Sequence, residues 1–351
     1  MLHAEVKKAL LQGAVIPAHP LALTEERQLD VRGQRALTRY YLDAGVGGIA
    51  VGVHTTQFEI RDPEFNLFEK VLKLAIEEMN RANVSESFIK IAGICGPAEQ
   101  AIREAKYAVE IGYDLGLLSM GGLHHLSEAE LLDRTKAVAE VIPVVGFYLQ
   151  PAVGGRIFSY DFWKQLAEIP NVHAIKIAPF NRYLTNDVVR AVVNSTRNDE
   201  IALYTGNDDS IINDLLTTFR FQVDGKMVEK RIVGGLLGHW SVWTKRVVEV
   251  FRELEVVRDS KHIPASLLTL GQEITDANAA FFDATNQFKG SIAGINEVLR
   301  RQGILKGNWC LLDHESLSPG QLEEIDRVYR AYPHLHDDEF VKENLSKWLE
   351  Y

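Results

Sequence analysis

Eight short apolar runs, each followed by a stretch of helical periodicity, recur from residue 13 onward, and this alternation restricts the possible folds more than any other feature. The runs are "GAVIPA", "GGIAVGV", "FIKIAGI", "DLGLLSM", "PVVGFYL", "HAIKIAP", "IALYTG" and "IVGGLLG". Between them lie amphipathic stretches such as "EFNLFEKVLKLAIEEMNRA", "PAEQAIREAKYAVEIG", "SEAELLDRTKAVAEVI" and "NDVVRAVVNSTR". Apolar runs without alternation read as strands buried on both faces, the pattern of a parallel sheet covered by helices. Eight such strand–helix units match the count of a (β/α)8 TIM barrel, which routinely fills about 250 residues as one body. A doubly wound open sheet is the alternative, but it seldom reaches eight regular units without a break in composition.

After about residue 250 the strand signal stops. "SLLTLGQEITDANAAFFDA", "SIAGINEVLRRQGI" and "PGQLEEIDRVYRAY" read as helices, so the expected division is a barrel over 1–250 and an appended C-terminal helical region over 251–351. "FQVDGKMVEKR" at 221–231 reads as an inserted turn or hairpin ahead of the eighth strand. "HLHDDEF" near the C-terminus reads as solvated acid.

The net charge of −10, from 38 Lys and Arg against 48 Asp and Glu, offers no basic patch for nucleic acid or an anionic membrane surface. A small-molecule partner is the expectation. No signal peptide and no apolar run of membrane-spanning length is visible, so the expected location is the cytoplasm. The two cysteines, Cys95 and Cys310, lack metal-ligand spacing and are expected to be buried free thiols. The adjacent His124 and His125 point in different directions from a helix start, which disfavours a shared metal.

Chemistry enters with the sixth run. "NVHAIKIAPF" sets Lys176 near the C-terminal end of a buried strand, where an unpaired ammonium carries a desolvation cost. Barrels of this kind build active sites at that end, and an amine held there has its pKa lowered, which leaves a neutral fraction able to attack a carbonyl. A lysine snorkelling out of the rim is the competing reading. Tyr148 ends the fifth strand and can pass protons, and Thr55 and Thr56 end the second, where hydroxyls and backbone N–H groups can take a carboxylate.

With these pieces in order, the sequence resembles the dihydrodipicolinate synthase and N-acetylneuraminate lyase family of class I aldolases, lyases and dehydratases. In that family a tyrosine of a "Y-N-x-P" strand end precedes the Schiff-base lysine by 28 positions, the separation here between Tyr148 of "YLQP" and Lys176. "VHTTQF" stands for the "G-T-T-G-E" carboxylate loop, and "YTGNDD", with Gly206, for the "S-G-D-D" turn. "GGLLGHWS" and "NQFKGSIAGINEVLRRQGIL" extend the similarity over nearly the whole chain.

The resemblance implies that Lys176 forms an imine with a 2-oxo acid, most often pyruvate, and that Thr55 and Thr56 hold its carboxylate. Tyr148, with the Thr55 hydroxyl, would relay protons, and Gly206, the Leu236 carbonyl and Arg156 would complete the substrate site. It implies no metal and no organic cofactor, an aldehyde as possible second substrate, and a homotetramer. Three departures tell against the lysine-biosynthetic reaction. The arginine expected five positions after the tyrosine is Val153, the nearest arginine being Arg156; "LLSMGGLHHL" carries no strand-four tyrosine; and Gln57 and Phe58 replace the loop glycine and acid. A dehydratase or hydratase-aldolase of a sugar-acid or aromatic 2-oxo acid, a non-catalytic 2-oxo-acid binder, and a phosphate-binding barrel enzyme are the competing readings.

Overall fold

A computed structural model of the chain describes residues 1–350. Its strands are β1 (Val15–Pro17), β2 (Gly48–Val51), β3 (Ile89–Ile94), β4 (Leu115–Leu118), β5 (Val144–Leu149), β6 (Val172–Ala178), β7 (Ala202–Thr205), β8 (Thr218–Val223) and β9 (Lys226–Leu237). The sheet runs β1-β9-β7-β6-β5-β4-β3-β2, with β8 off the path against β9. Its two ends meet through a parallel bridge between Ala18 and Ala50, where the His19 N–H donates to the Ala50 carbonyl at 2.8 Å. The chain is thus a (β/α)8 barrel, and the eight apolar runs are its eight parallel strands. C-terminal helices follow at Ser266–Phe281, Ser291–Arg301, Gln321–Ala331 and Asp338–Trp348.

Local signals account for much of this. All seven residues of β6 are buried, as an unbroken apolar run requires. The helix Glu128–Ala139 opens on a reciprocal capping box between Ser127 and Glu130, read directly from "SEAE". The expected hairpin is β8–β9, closed by Asp224 and Gly225 at φ 47° and 79°, the left-handed pair that a two-residue turn demands.

The chain contacts define two compact units. The first, Met1–Ala14 with Glu86–Leu236, holds β3 to β8 and nearly all of β9. Here the N-terminal helix Ala4–Gln12 is anchored by the Tyr204 hydroxyl, which donates to the Leu10 carbonyl at 2.9 Å. The second unit, Val15–Ser85 with the chain from Leu237 onward, holds β1, β2 and the appended helices. Its core sets Tyr40 beside Trp348, ring centroids 5.3 Å apart and planes tilted by 55°, and the Tyr40 hydroxyl donates to Asp337.

Three expectations need correction. Asp337 of "HLHDDEF" is not solvated: it is buried and accepts hydrogen bonds from the Tyr40 hydroxyl, the Lys245 N–H and the Gln302 amide, each at 2.8 Å. Cys310 is buried as expected, but Cys95 is partly exposed; neither is in a disulfide. His124 and His125 lie exposed in the turn before the helix Glu128–Ala139 rather than at its start. No described helix is long and apolar enough to cross a membrane.

Candidate active site

In the first unit, β6 carries Lys176 at 7% exposure, with its ammonium nitrogen 4.4 Å from the centroid of the Phe147 ring. Burial pushes this amine down to about 8, although the Asp208 carboxylate works in the opposite direction. A lysine so placed is about 10% neutral at pH 7, against well under about 0.1% for an exposed one. The side chain passes directly over Gly206, where a Cβ would stand 2.6 Å from the Lys176 Cε. Only glycine leaves that path open.

The turn after β7 is sorted by face. The Thr205 hydroxyl and the Asn207 amide both donate to Asp214, at 2.6 and 3.0 Å, and Asn207 also reaches Thr185 at 3.1 Å. Asp214 has no exposed surface and also pairs with Arg182. Thr205 and Asn207 therefore point toward the helix layer, and strand alternation turns Tyr204 to the other side. That is the side of Lys176, which pairs in register with Tyr204.

Tyr148 lies elsewhere. Val144 pairs with Val172, but an irregularity follows, Val145 pairs with Ala174, and His173 is skipped. Beyond this bulge Phe147 stands opposite Lys176, and Tyr148 opposite Ile177. Tyr148 consequently faces the helix layer, its ring packed against Trp163 at 4.8 Å and Phe158 at 5.9 Å. Its buried hydroxyl makes no well-formed hydrogen bond. Burial raises its pKa, a backbone interaction with Phe158 partly offsets this, and Asp187 and Glu128 add to the rise. A separation of 28 in sequence thus fails to put Tyr148 on the face of Lys176, because the bulge uses one residue.

Arg156 is also turned away. Its guanidinium donates to the Leu126 carbonyl at 2.7 Å and lies over the Phe158 ring at 5.2 Å. Val153 ends the short turn Pro151–Val153. Leu236 is buried near the end of β9.

In the second unit, β2 ends in the short 3-10 turn His54–Thr56. The Thr56 hydroxyl donates to the His19 carbonyl at 2.6 Å and accepts the N–H groups of Gly52 and Val53 at 3.0 and 3.2 Å. Its one proton is spent on the fold, so its hydroxyl shapes the turn and has none left to give a ligand. Thr55, at 6% exposure, has a hydroxyl with no partner among the described residues. Beneath them His19 is fully buried and pushed down to about 4 by burial, so it stays neutral, with its ring between the Pro20 carbonyl and Thr38.

Reading the sequence alone missed Phe147, Asp208 and Asp214. The signal for Asp208 was present in "YTGNDD", as an acid two residues beyond the glycine that lies against the Lys176 stem. Among the described residues no group of three His, Cys, Asp or Glu side chains could hold a metal ion.

The model of the dihydrodipicolinate synthetase family matches residues 12–220, more than half of the chain. N-acetylneuraminate lyase 2 of Escherichia coli O6:H1 is 23% identical over 326 residues, 92% of this chain and 95% of that protein. Dihydrodipicolinate synthase from Oceanobacillus iheyensis superposes with a TM-score of 0.75 at 16% identity, covering 94% of this chain and 99% of the other. N-acetylneuraminate lyase from Fusobacterium nucleatum, in complex with pyruvate, gives 0.70 at 17% identity over 93% and 99%. At such identities the two solved structures speak to the fold.

Proposed function

The chain belongs to the dihydrodipicolinate synthetase family, and on that premise we propose that it is a lyase acting through an imine between Lys176 and a 2-oxo acid such as pyruvate. The observation that carries this reading is Lys176 itself. A buried amine over an aromatic ring, with its pKa brought down to about 8, is costly to fold and suited to attack a ketone. In this reading Gly206 keeps the approach to the amine clear. The reaction needs no metal or organic cofactor, since the iminium supplies the electron sink. The second substrate is an aldehyde, released or captured at C3 of the enamine.

Borohydride in the presence of pyruvate tests the reading. The expected result is a mass increase of one reduced pyruvate on a peptide containing Lys176, absent without borohydride and absent in Lys176→Met. Modification of another lysine with Lys176 untouched overturns it.

A further inference from the structure

The turn after β7 lies against the stem of Lys176 with bare backbone: a Cβ added to Gly206 would stand 2.6 Å from the Lys176 Cε and 2.7 Å from the Ala178 Cβ. The Gly206 N–H donates to the Ile177 carbonyl at 2.7 Å, which ties this turn to the strand that carries the lysine. Backbone this close keeps water off the stem only while the turn holds its place. What holds it is one carboxylate. Asp214, on the short helix Ile211–Leu216, has no exposed surface. Its Oδ2 accepts the Thr205 hydroxyl at 2.6 Å and the Asn207 amide at 3.0 Å, one residue on each side of Gly206. Its Oδ1 takes the guanidinium of Arg182, which opens the helix Arg182–Val193 that follows β6. Asn207 closes the same seam: its amide also reaches Thr185 at 3.1 Å, and its oxygen accepts the Phe180 N–H at 3.0 Å.

Resting on the imine reading above, we infer that Asp214 is the positioning residue of the site: by gripping Thr205, Asn207 and Arg182 it holds Gly206 against the Lys176 stem and keeps water from the amine. Stability alone is a poor reason for the arrangement, since well-packed apolar residues often replace a buried ion pair without loss. Without the grip the turn relaxes, water reaches the stem, and the ammonium is favoured again. The sign separates this from a charge effect. Removing a carboxylate and leaving the Arg182 cation would, by electrostatics alone, disfavour the ammonium and lower the pKa of Lys176, whereas hydration raises it. Asp208, the carboxylate that acts on Lys176, stays in place in every variant below.

Trace acetylation with acetic anhydride as a function of pH, read on the Lys176 peptide by mass spectrometry, follows the neutral amine whether or not an imine forms. The wild-type midpoint is expected at about 8. In Asp214→Ala it should rise by about one unit, so that labelling at pH 7 falls about 10-fold while labelling near pH 10.5 is unchanged. Because that variant strands three donors, two milder ones accompany it. Thr205→Val removes a single bond and should raise the midpoint by about half a unit. Asp214→Asn keeps an oxygen for Thr205 and Asn207 and should lie nearer the wild type than Asp214→Ala. Asp337→Ala, destabilised in the other unit, should leave the midpoint where it is, which separates placement from mere loss of stability. A midpoint unmoved or lowered in Asp214→Ala, or in Thr205→Val where the first variant does not fold, overturns the assignment. Borohydride trapping with pyruvate on the same preparations keeps the two readings apart. A wild-type adduct with an unmoved midpoint in the variants sinks the role of Asp214 and leaves the imine. A raised midpoint without any wild-type adduct sinks the imine and leaves Asp214 as the residue that places a buried amine.

Discussion

Phe147, and not Tyr148, stands opposite Lys176 across β5 and β6, with the ammonium nitrogen 4.4 Å from the ring centroid. The ring offers a charge on its face some attraction, on the order of 0.5–2 kcal/mol, but it also excludes water from the amine. Burial is the larger effect, since the amine ends at about 8 rather than at its ordinary 10.5.

This has a measurable consequence for stability. The folded pKa of Lys176 lies below the unfolded one, so between about pH 8 and 10.5 the unfolded chain binds the extra proton and stability rises with pH. Below about pH 8 the folded protein carries the whole penalty. Lys176→Met, which keeps an unbranched apolar stem, is expected to stabilise the protein by about 1–3 kcal/mol at pH 7 and by much less at pH 10.5. Urea unfolding at the two pH values measures this. An equal effect at both would mean that the amine is not desolvated.

Gly206→Ala separates the shape of the site from its chemistry. The added methyl would meet the Lys176 Cε at 2.6 Å and the Ala178 Cβ at 2.7 Å, inside any real contact distance. Ala178 is on β6 itself, so the lysine stem is what yields. The fold should persist with a loss of about 1–3 kcal/mol, the usual cost of overpacking, while the rate of adduct formation with pyruvate falls by about 10²-fold. Trapping kinetics and circular dichroism on the same preparation measure both.

Asp337 carries a prediction of its own and a lesson in legibility. Truncation to Ala would leave the Tyr40 hydroxyl, the Lys245 N–H and the Gln302 amide without their acceptor, and each buried donor so stranded costs about 1–3 kcal/mol. A loss of at least about 3 kcal/mol in denaturant unfolding is expected. Nothing local in "HLHDDEF" distinguishes Asp337 from its exposed neighbours, because its partners lie on segments from residues 40, 245 and 302. The barrel strands were legible because burial on both faces writes an apolar run, and the hairpin because Asp224-Gly225 writes its own turn. The helix Asp338–Trp348 buries only Val341 and Trp348, too narrow a stripe to announce itself. Lys176 was legible as a charge inside an apolar run. The face of Tyr148 was not, since a bulge that skips His173 is a property of the pairing between two strands and of neither strand alone.

Substrate choice gives the last prediction. Condensation of pyruvate with aspartate semialdehyde requires a second carboxylate to be held in a largely desolvated site, a task suited to a bidentate guanidinium. Val153 offers nothing of the kind. Arg156 is the nearest candidate in sequence, but it spends a donor on the Leu126 carbonyl at 2.7 Å and its plane on the Phe158 ring. Turning it toward substrate would forfeit a charge-assisted hydrogen bond and a cation–π contact, together about 2–4 kcal/mol, or roughly 30- to 800-fold in binding. The protein is therefore expected to turn over aspartate semialdehyde with a kcat/KM at least about 10²-fold below that for an aldehyde lacking a carboxylate, measured as pyruvate consumed. Arg156→Ala should leave that ratio unchanged. Efficient condensation that disappears in Arg156→Ala would mean that the arginine leaves Leu126 when substrate arrives.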